Sequence, residues 1–321
     1  MSERPGRGQF LVALAVIFLT LVLLGAGGLV TSNEAGDSVP DWPMSFGRWI
    51  IGSDQFVANV RYEYSHRVIA GAVGIVTFIL ALLVTFGEKR RWMKRLAWIA
   101  FAGVAAQALI GGVRVMFPAY KAAISIPHAL VAQGFLALLV SLAVFSSQSW
   151  WSRRTYKTEA AKGGLFSLSP SLRTLTAATI AAVLMQLVLG AGFRHRAFGI
   201  IPHIAGAVVV TALLIWTVSL VLRRHGSDAF LCKPALIALG LLITQVGLGA
   251  GAYMARLNSA SDPLPMEPMI TLTVAHLVVG ALTLAAAVVL TLRCYRAISP
   301  REGAREAAGR SMASQAGGAT A

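Results

Sequence analysis

The chain is 321 residues long, 56% hydrophobic and only 13% charged, and its 28 Lys and Arg against 13 Asp and Glu leave a formal net charge of +15. A charged share about half the ~25% usual in soluble domains excludes an ordinary soluble fold. The basic balance would suit a nucleic-acid binder only if the charge were gathered on one folded surface, and its distribution along the chain argues otherwise.

Apolar windows of about 20 residues, the length that crosses ~30 Å of hydrocarbon, occur at 10–30, 66–86, 96–114, 122–145, 173–193, 200–222, 234–254 and 270–292. They predict an all-α integral membrane protein of eight transmembrane helices. Threaded through a bilayer with the N-terminus inside, they leave twenty Lys and Arg and six acids on the inner side, and eight basic residues and seven acids on the outer side. This positive-inside asymmetry predicts cytoplasmic N- and C-termini in an inner (plasma) membrane, and it needs no nucleic-acid partner. The first window ends in GAGGLVT without a clear cleavage pattern, so it reads as a retained helix. Cys232 and Cys294 both fall near inner helix ends, and no disulfide is expected on the oxidising face. Residues 151–169 read as an inner linker, and the Ala-, Gly- and Ser-rich stretch over 298–321 as a disordered tail.

Internal repetition organises the rest. The odd helices end near the outer face in related words: LLGAGG (23–28), QALIGG (107–112), QLVLGAG (186–192) and QVGLGAG (245–251). Their simplest reading is close approach of backbones. Each even helix carries one histidine in its first turns: His66, His128, His203 and His276. Two of these stand in SIPHAL (125–130) and GIIPHIAG (199–206), where Pro suits the first turn of a helix. Residues 1–150 and 170–297 therefore read as two related four-helix halves. A longer outer loop at 255–269 takes up most of the difference in histidine spacing between them. His195 and His225, in loops, read as solvated.

Four histidines at one depth give each half a facing pair, and bundles build cofactor sites from facing helices. A closed tetrahedral zinc or copper site wants four ligands, and the second half offers no carboxylate or thiolate at that depth. A haem iron needs only two axial groups, so two bis-histidine haem sites near the outer face are the economical reading. Propionates require cations, and Arg67, Arg114, Arg194, Arg196 and Arg256 lie on or near that face. Each would serve equally as an interfacial anchor. Three residues before the histidines stand Glu63, Ser125, Ile200 and Thr273. Glu63 alone is ionisable and shares a helix face with His66. That points to chemistry at the first site and electron storage or relay at the second, with orientation of His66 as the other role open to Glu63.

Taken together, GGLVTSNEAG (27–36), PDWPMSFG (40–47), EYSHR (63–67), QALIGG (107–112), the PH words at 127–128 and 202–203, and VAHLVVG (274–280) make a specific set. With them the chain resembles the haem A synthase family over nearly its whole length. The resemblance implies an eight-helix membrane oxidoreductase of monooxygenase type that converts haem O to haem A for cytochrome oxidase. Its reaction oxidises a ring methyl to a formyl group by two successive hydroxylations and loss of water. The resemblance also implies His66 and His128 as axial ligands of the substrate haem, Glu63 as the catalytic carboxylate, and His203 and His276 as ligands of a resident haem b. Haem O synthase and cytochrome oxidase assembly factors are partners implied in the same way, while nothing in the residues names a contact surface or an oligomeric state. The departure is in the first outer loop, where many relatives carry a cysteine pair and residues 31–65 have none. The loop instead has PDWP, with Asp41 and Trp42, read either as a cover over the substrate haem edge or as a turn closed by two prolines.

Two rival readings remain. A di-haem cytochrome b that only transfers electrons, in a quinol-linked chain, would share the four histidines without needing Glu63. A solute transporter built from repeats would place broken helices near the midplane, whereas the polar groups here cluster toward one face.

Overall fold

The computed structural model describes residues 6–152, 171–258 and 267–298, which are nearly all helix. In chain order the helices are α1 (Arg7–Ser32), α2 (Val60–Gly87), α3 (Arg91–Met116), α4 (Lys121–Ser146), the single turn α5 (Gln148–Trp151), α6 (Leu172–Arg194), α7 (Ile201–His225), α8 (Ala229–Asn258) and α9 (Glu267–Ala297). All but α5 are long and apolar enough to cross a membrane. The chain is thus an all-α, multi-pass membrane protein. Most of the predicted linker at 151–169, the tail after 298 and the middle of the 255–269 loop lie outside the described residues.

The helices run further than the apolar windows. α2 begins at Val60, because Glu63 and Arg67, one turn apart, pair at 2.7 Å and let the helix continue through charged sequence. α4 begins at Lys121, so Pro127 lies inside the helix rather than in its first turn. The added turns are held from outside: Lys121 Nζ donates to Asp37 at 3.1 Å and Arg114 Nε to Ser125 Oγ at 3.3 Å. Pro202 does sit in the first turn of α7.

Helices α1 to α4 close a ring in which α1 packs on α2, α2 on α3, α3 on α4 and α4 back on α1, and α6 to α9 close a second ring in the same order. The rings meet where α1 and α4 contact α9 and α4 contacts α6. Leu136, Val140, Val183, Val210, Ala281, Leu284 and Val288 form the buried core of that seam. Lipid tails are as apolar as leucine, so helix association rests on close packing rather than on hiding apolar surface. Large apolar residues such as Phe18, Phe86, Ile201 and Ile243 accordingly stay exposed.

Candidate functional site

At one end of the bundle each of the four predicted histidines lies against a glycine of the preceding long helix. A Cβ built on Gly27, Gly111, Gly190 or Gly249 would come within 3.1, 3.6, 2.9 and 2.8 Å of Cε1 of His66, His128, His203 and His276 respectively. The small-residue words therefore do more than bring backbones together, since one glycine in each forms the flat bed of an imidazole. His66 and His128 lie within electrostatic range of each other. The rings of His203 and His276 have centres 6.2 Å apart and planes at 80°. Two imidazoles sharing one metal through bonds of about 2 Å, with about 1 Å more from each nitrogen to its ring centre, would have centres about 6 Å apart. The second pair thus fits an ion held between two axial histidines. Among the described residues no group of three or more His, Cys, Asp or Glu side chains gathers as a metal cluster, and two axial groups are what a haem iron takes from its protein.

Groups of the preceding helices surround the rings. His276 Nδ1 lies 3.1 Å from the Gln245 carbonyl, and the Gln245 amide nitrogen is 3.3 Å from His276 Nε2. The Gln186 amide nitrogen lies 3.0 Å from His203 Nδ1 and donates to the His203 carbonyl at 2.9 Å. In the first pair the His66 ring lies at the Leu23 backbone, as His276 lies at Gln245, and Nδ1 of His128 is buried without a hydrogen-bond partner. Gln107 reaches only the His128 carbonyl, at 2.9 Å, and Leu23 occupies the matching place in α1. Composition and window reading give these glutamines no weight, yet a signal was present: in three of the four repeated words Gln precedes the bedding glycine by four residues.

Glu63 is 4% exposed and accepts four hydrogen bonds. Ser38 N, Ser38 Oγ and Val39 N donate to Oε2 at 2.9, 3.1 and 3.0 Å, and Arg67 donates to Oε1 at 2.7 Å. Arg67 also donates to the carbonyls of Asp41 (2.7 Å), Met44 (3.0 Å) and Val39 (3.2 Å). The pair is therefore a clasp that draws residues 38–45 of the first loop onto α2. Asp41 closes that loop by accepting from Phe46 N and Gly47 N, both at 2.7 Å, and Gly47 takes the positive φ of 71° that the turn demands. Burial pushes the Asp41 carboxyl up, but the two amide donors and Arg67 outweigh it and hold it below its usual range. Trp42 packs flat on Gly112, the residue after the glycine that beds His128. The PDWP loop is thus both of the things read from its sequence, a closed turn and a wall beside the first pair.

The other arginines reach the same end of the bundle. Arg114 donates to the Gly36 carbonyl and, at 3.3 Å, to Asp37. Arg194 donates to the Gly28 carbonyl and to Ser32 Oγ, each at 2.8 Å, tying α6 to the end of α1. Arg256 stands 4.7 Å over the Phe193 ring, and Arg196 lies in the exposed α6–α7 connection. His195, expected to be solvated, is instead half-buried, and burial with the nearby Arg194 and Arg114 charges pulls its pKa down to about 4. His225 is likewise only partly exposed.

The COX15-CtaA family of cytochrome oxidase assembly proteins matches residues 10–203, more than half of the chain. The chain belongs to this family. The family match takes in three of the four histidines and stops at His203. Among curated relatives, the chain is similar to the "Heme A synthase" proteins of an Exiguobacterium species (29% identical over 41% of this chain and 43% of the relative) and of Exiguobacterium sibiricum (26% over 56% and 57%). It is also similar to the protein of the same name from Alkalihalophilus pseudofirmus (30% over 37% and 40%). The chain spans about half the length of the curated relatives it matches.

Proposed function

We propose that this protein is a haem A synthase, converting haem O to haem A by taking one ring methyl through two hydroxylations to a gem-diol that loses water to give the formyl group. The observation that carries the proposal is the pair of glycine-bedded histidine couples at one end of the bundle, the second spaced for one shared ion. The name shared by the curated relatives supports the substrate. In this reading His66 and His128 hold the substrate, in a four-helix half spanning 1–150, and His203 and His276 hold a resident haem b, in a half spanning 170–297. When bound, the second haem supplies one-electron storage.

Glu63 lies three residues before His66, and both of its oxygens are taken. Arg67 and three loop donors fix it in place, so we assign it a fixed negative charge beside the reacting edge and the task of holding the loop that shields that edge from water. Trp42 and Asp41 build the wall, while Arg67 and Arg114 hold it in place. Among the propionate partners, Arg194 reaches across the seam to α1 and Arg256 stands over Phe193 beside it, whereas Arg67 already serves five loop and helix acceptors. The histidine end faces the outer side of an inner membrane, with both termini cytoplasmic, and haem O synthase and oxidase assembly factors are the partners such a reaction needs.

The test is extraction and chromatography of the haems bound to the purified protein after expression with a haem O supply. Wild type is expected to yield haem B with haem A or a hydroxylated haem O, and Glu63→Ala to accumulate unmodified haem O. Two equivalents of haem B per chain in both proteins would instead identify an electron-transferring di-haem cytochrome.

A further inference from the structure

Three of the four helices that bed a histidine carry an arginine in their last turn: Arg114 in α3, Arg194 in α6 and Arg256 in α8. A cation there offsets the negative end of the helix dipole. The fourth, α1, has no basic residue in its last turn, and the acid Glu34 follows just beyond its end. Counted from the bedding glycines Gly27 and Gly190, Thr31 of α1 stands where α6 has Arg194.

The missing cation comes from the other half of the molecule. Arg194 Nη2 donates to the Gly28 carbonyl and to Ser32 Oγ, each at 2.8 Å. The carbonyls on either side of Gly28 are served from within α1, Gly27 by Thr31 Oγ1 at 3.1 Å and Leu29 by Asn33 Nδ2 at 2.9 Å. Three successive carbonyls therefore each take a side-chain donor, and only the middle one takes it from α6.

The same turn lies between the two histidine pairs. Gly27 beds His66, its Cβ position 3.1 Å from the ring, and Gly28 abuts α9, its Cβ position 3.2 Å from Val274, two residues before His276. Packing this close leaves neither neighbour room to follow a displaced helix end. A shift of the last turn of α1 would carry the bed away from His66, and Arg194 and Val274 are what the second half places against that turn.

We propose that Arg194, though it belongs to the second half, is a positioning residue of the first site: it ties down the carbonyl end of α1 and so fixes the turn on which His66 rests. The proposal rests on the haem reading above.

The experiment titrates haem B into the full chain in lipid nanodiscs and follows binding by absorbance. A His203→Ala background leaves the first site to be read alone, with no second haem to draw on Arg194. Arg194→Met is expected to weaken first-site binding about 10-fold or more, the usual consequence of losing a partner that orients a ligand. Its bound haem should take on part of the spectrum of His66→Ala, since a displaced His66 leaves the iron one axial group short. Ser32→Ala removes one acceptor and no charge. It should weaken binding about 3-fold and add nothing in Arg194→Met, because the two residues share one hydrogen bond. Leu284→Ala, which loosens the core of the seam about two turns further along α9 than His276, should leave binding within about 2-fold of its background. First-site binding unmoved by Arg194→Met, Ser32→Ala acting independently of it, or Leu284→Ala weakening binding as much, overturns the inference and leaves the haem reading standing. If Arg194→Met does not fold, Ser32→Ala decides by itself, unchanged binding overturning the inference. A His203→Ala chain that binds no haem sinks the functional reading of the first site, and this inference with it.

Discussion

Replacing Glu63 by glutamine tests whether the first loop is held by one carboxylate. The substituted amide has one oxygen for four donors. Its less costly orientation turns the oxygen to Ser38 N, Ser38 Oγ and Val39 N and the NH2 group to Arg67, so the 2.7 Å ion pair is lost and three bonds to a charge become bonds to a neutral acceptor. Bonds to charged groups contribute about 1.5–3 kcal/mol and neutral ones about 1 kcal/mol. Arg67 keeps its carbonyl acceptors at Val39, Asp41 and Met44, which offsets part of the loss, and a net weakening of about 3 kcal/mol follows. At 1.36 kcal/mol per decade that is about 100-fold in the opening equilibrium of the loop. Hydrogen exchange in the full chain should therefore show the Ser38 and Val39 amides exchanging about 100-fold faster in Glu63→Gln. The Phe46 and Gly47 amides, held by Asp41, serve as an internal control and should change little. Exchange at Ser38 and Val39 within a factor of about 3 of wild type would refute the clasp.

The bedding glycines should respond to alanine in the order of their clearances. Gly190→Ala and Gly249→Ala, with Cβ positions 2.9 and 2.8 Å from the ring, are expected to displace His203 and His276 and lose the second haem, while Gly111→Ala, at 3.6 Å, retains haem at the first site; haem content of each purified variant decides this. Arg194→Met removes two hydrogen bonds that tie α6 to α1 and should destabilise the protein by about 2–4 kcal/mol, read as a lower thermal midpoint in detergent. His195, depressed by burial and two arginines from 6.5 to about 4, favours the folded state while neutral. Its contribution is complete above pH 6.5 and is lost as pH falls toward 4. The thermal midpoint should fall across that window, and His195→Gln should flatten the fall. An identical decline in the variant would show that other groups carry it.

Much of this molecule was legible before any coordinates. The eight spans follow from composition, because only an uninterrupted apolar run of about 20 residues satisfies both the hydrocarbon and the backbone. The four histidines stood out because a polar ring recurring at the start of every even helix is not what lipid-facing sequence produces. The exact helix ends were not legible: hydropathy stops at charge, whereas α2 continues through Glu63 and Arg67 because they neutralise each other, and α4 starts before Pro127 because Asp37 and Arg114 hold its first turns.

The sequence alone therefore determined the fold class, the family resemblance and the identity of the candidate ligands, since each depends on residue type and local spacing. Only the tertiary structure decided what the neighbours of those ligands do. It took contacts between distant segments to show that Gly27, Gly111, Gly190 and Gly249 are histidine beds, that Glu63 is held by Arg67 and by residues 38 and 39 of the first loop, that His195 is half-buried, and that Gln186 and Gln245 reach the rings of His203 and His276. Those facts are set by the directions side chains take between helices, and direction is what a linear spacing does not contain.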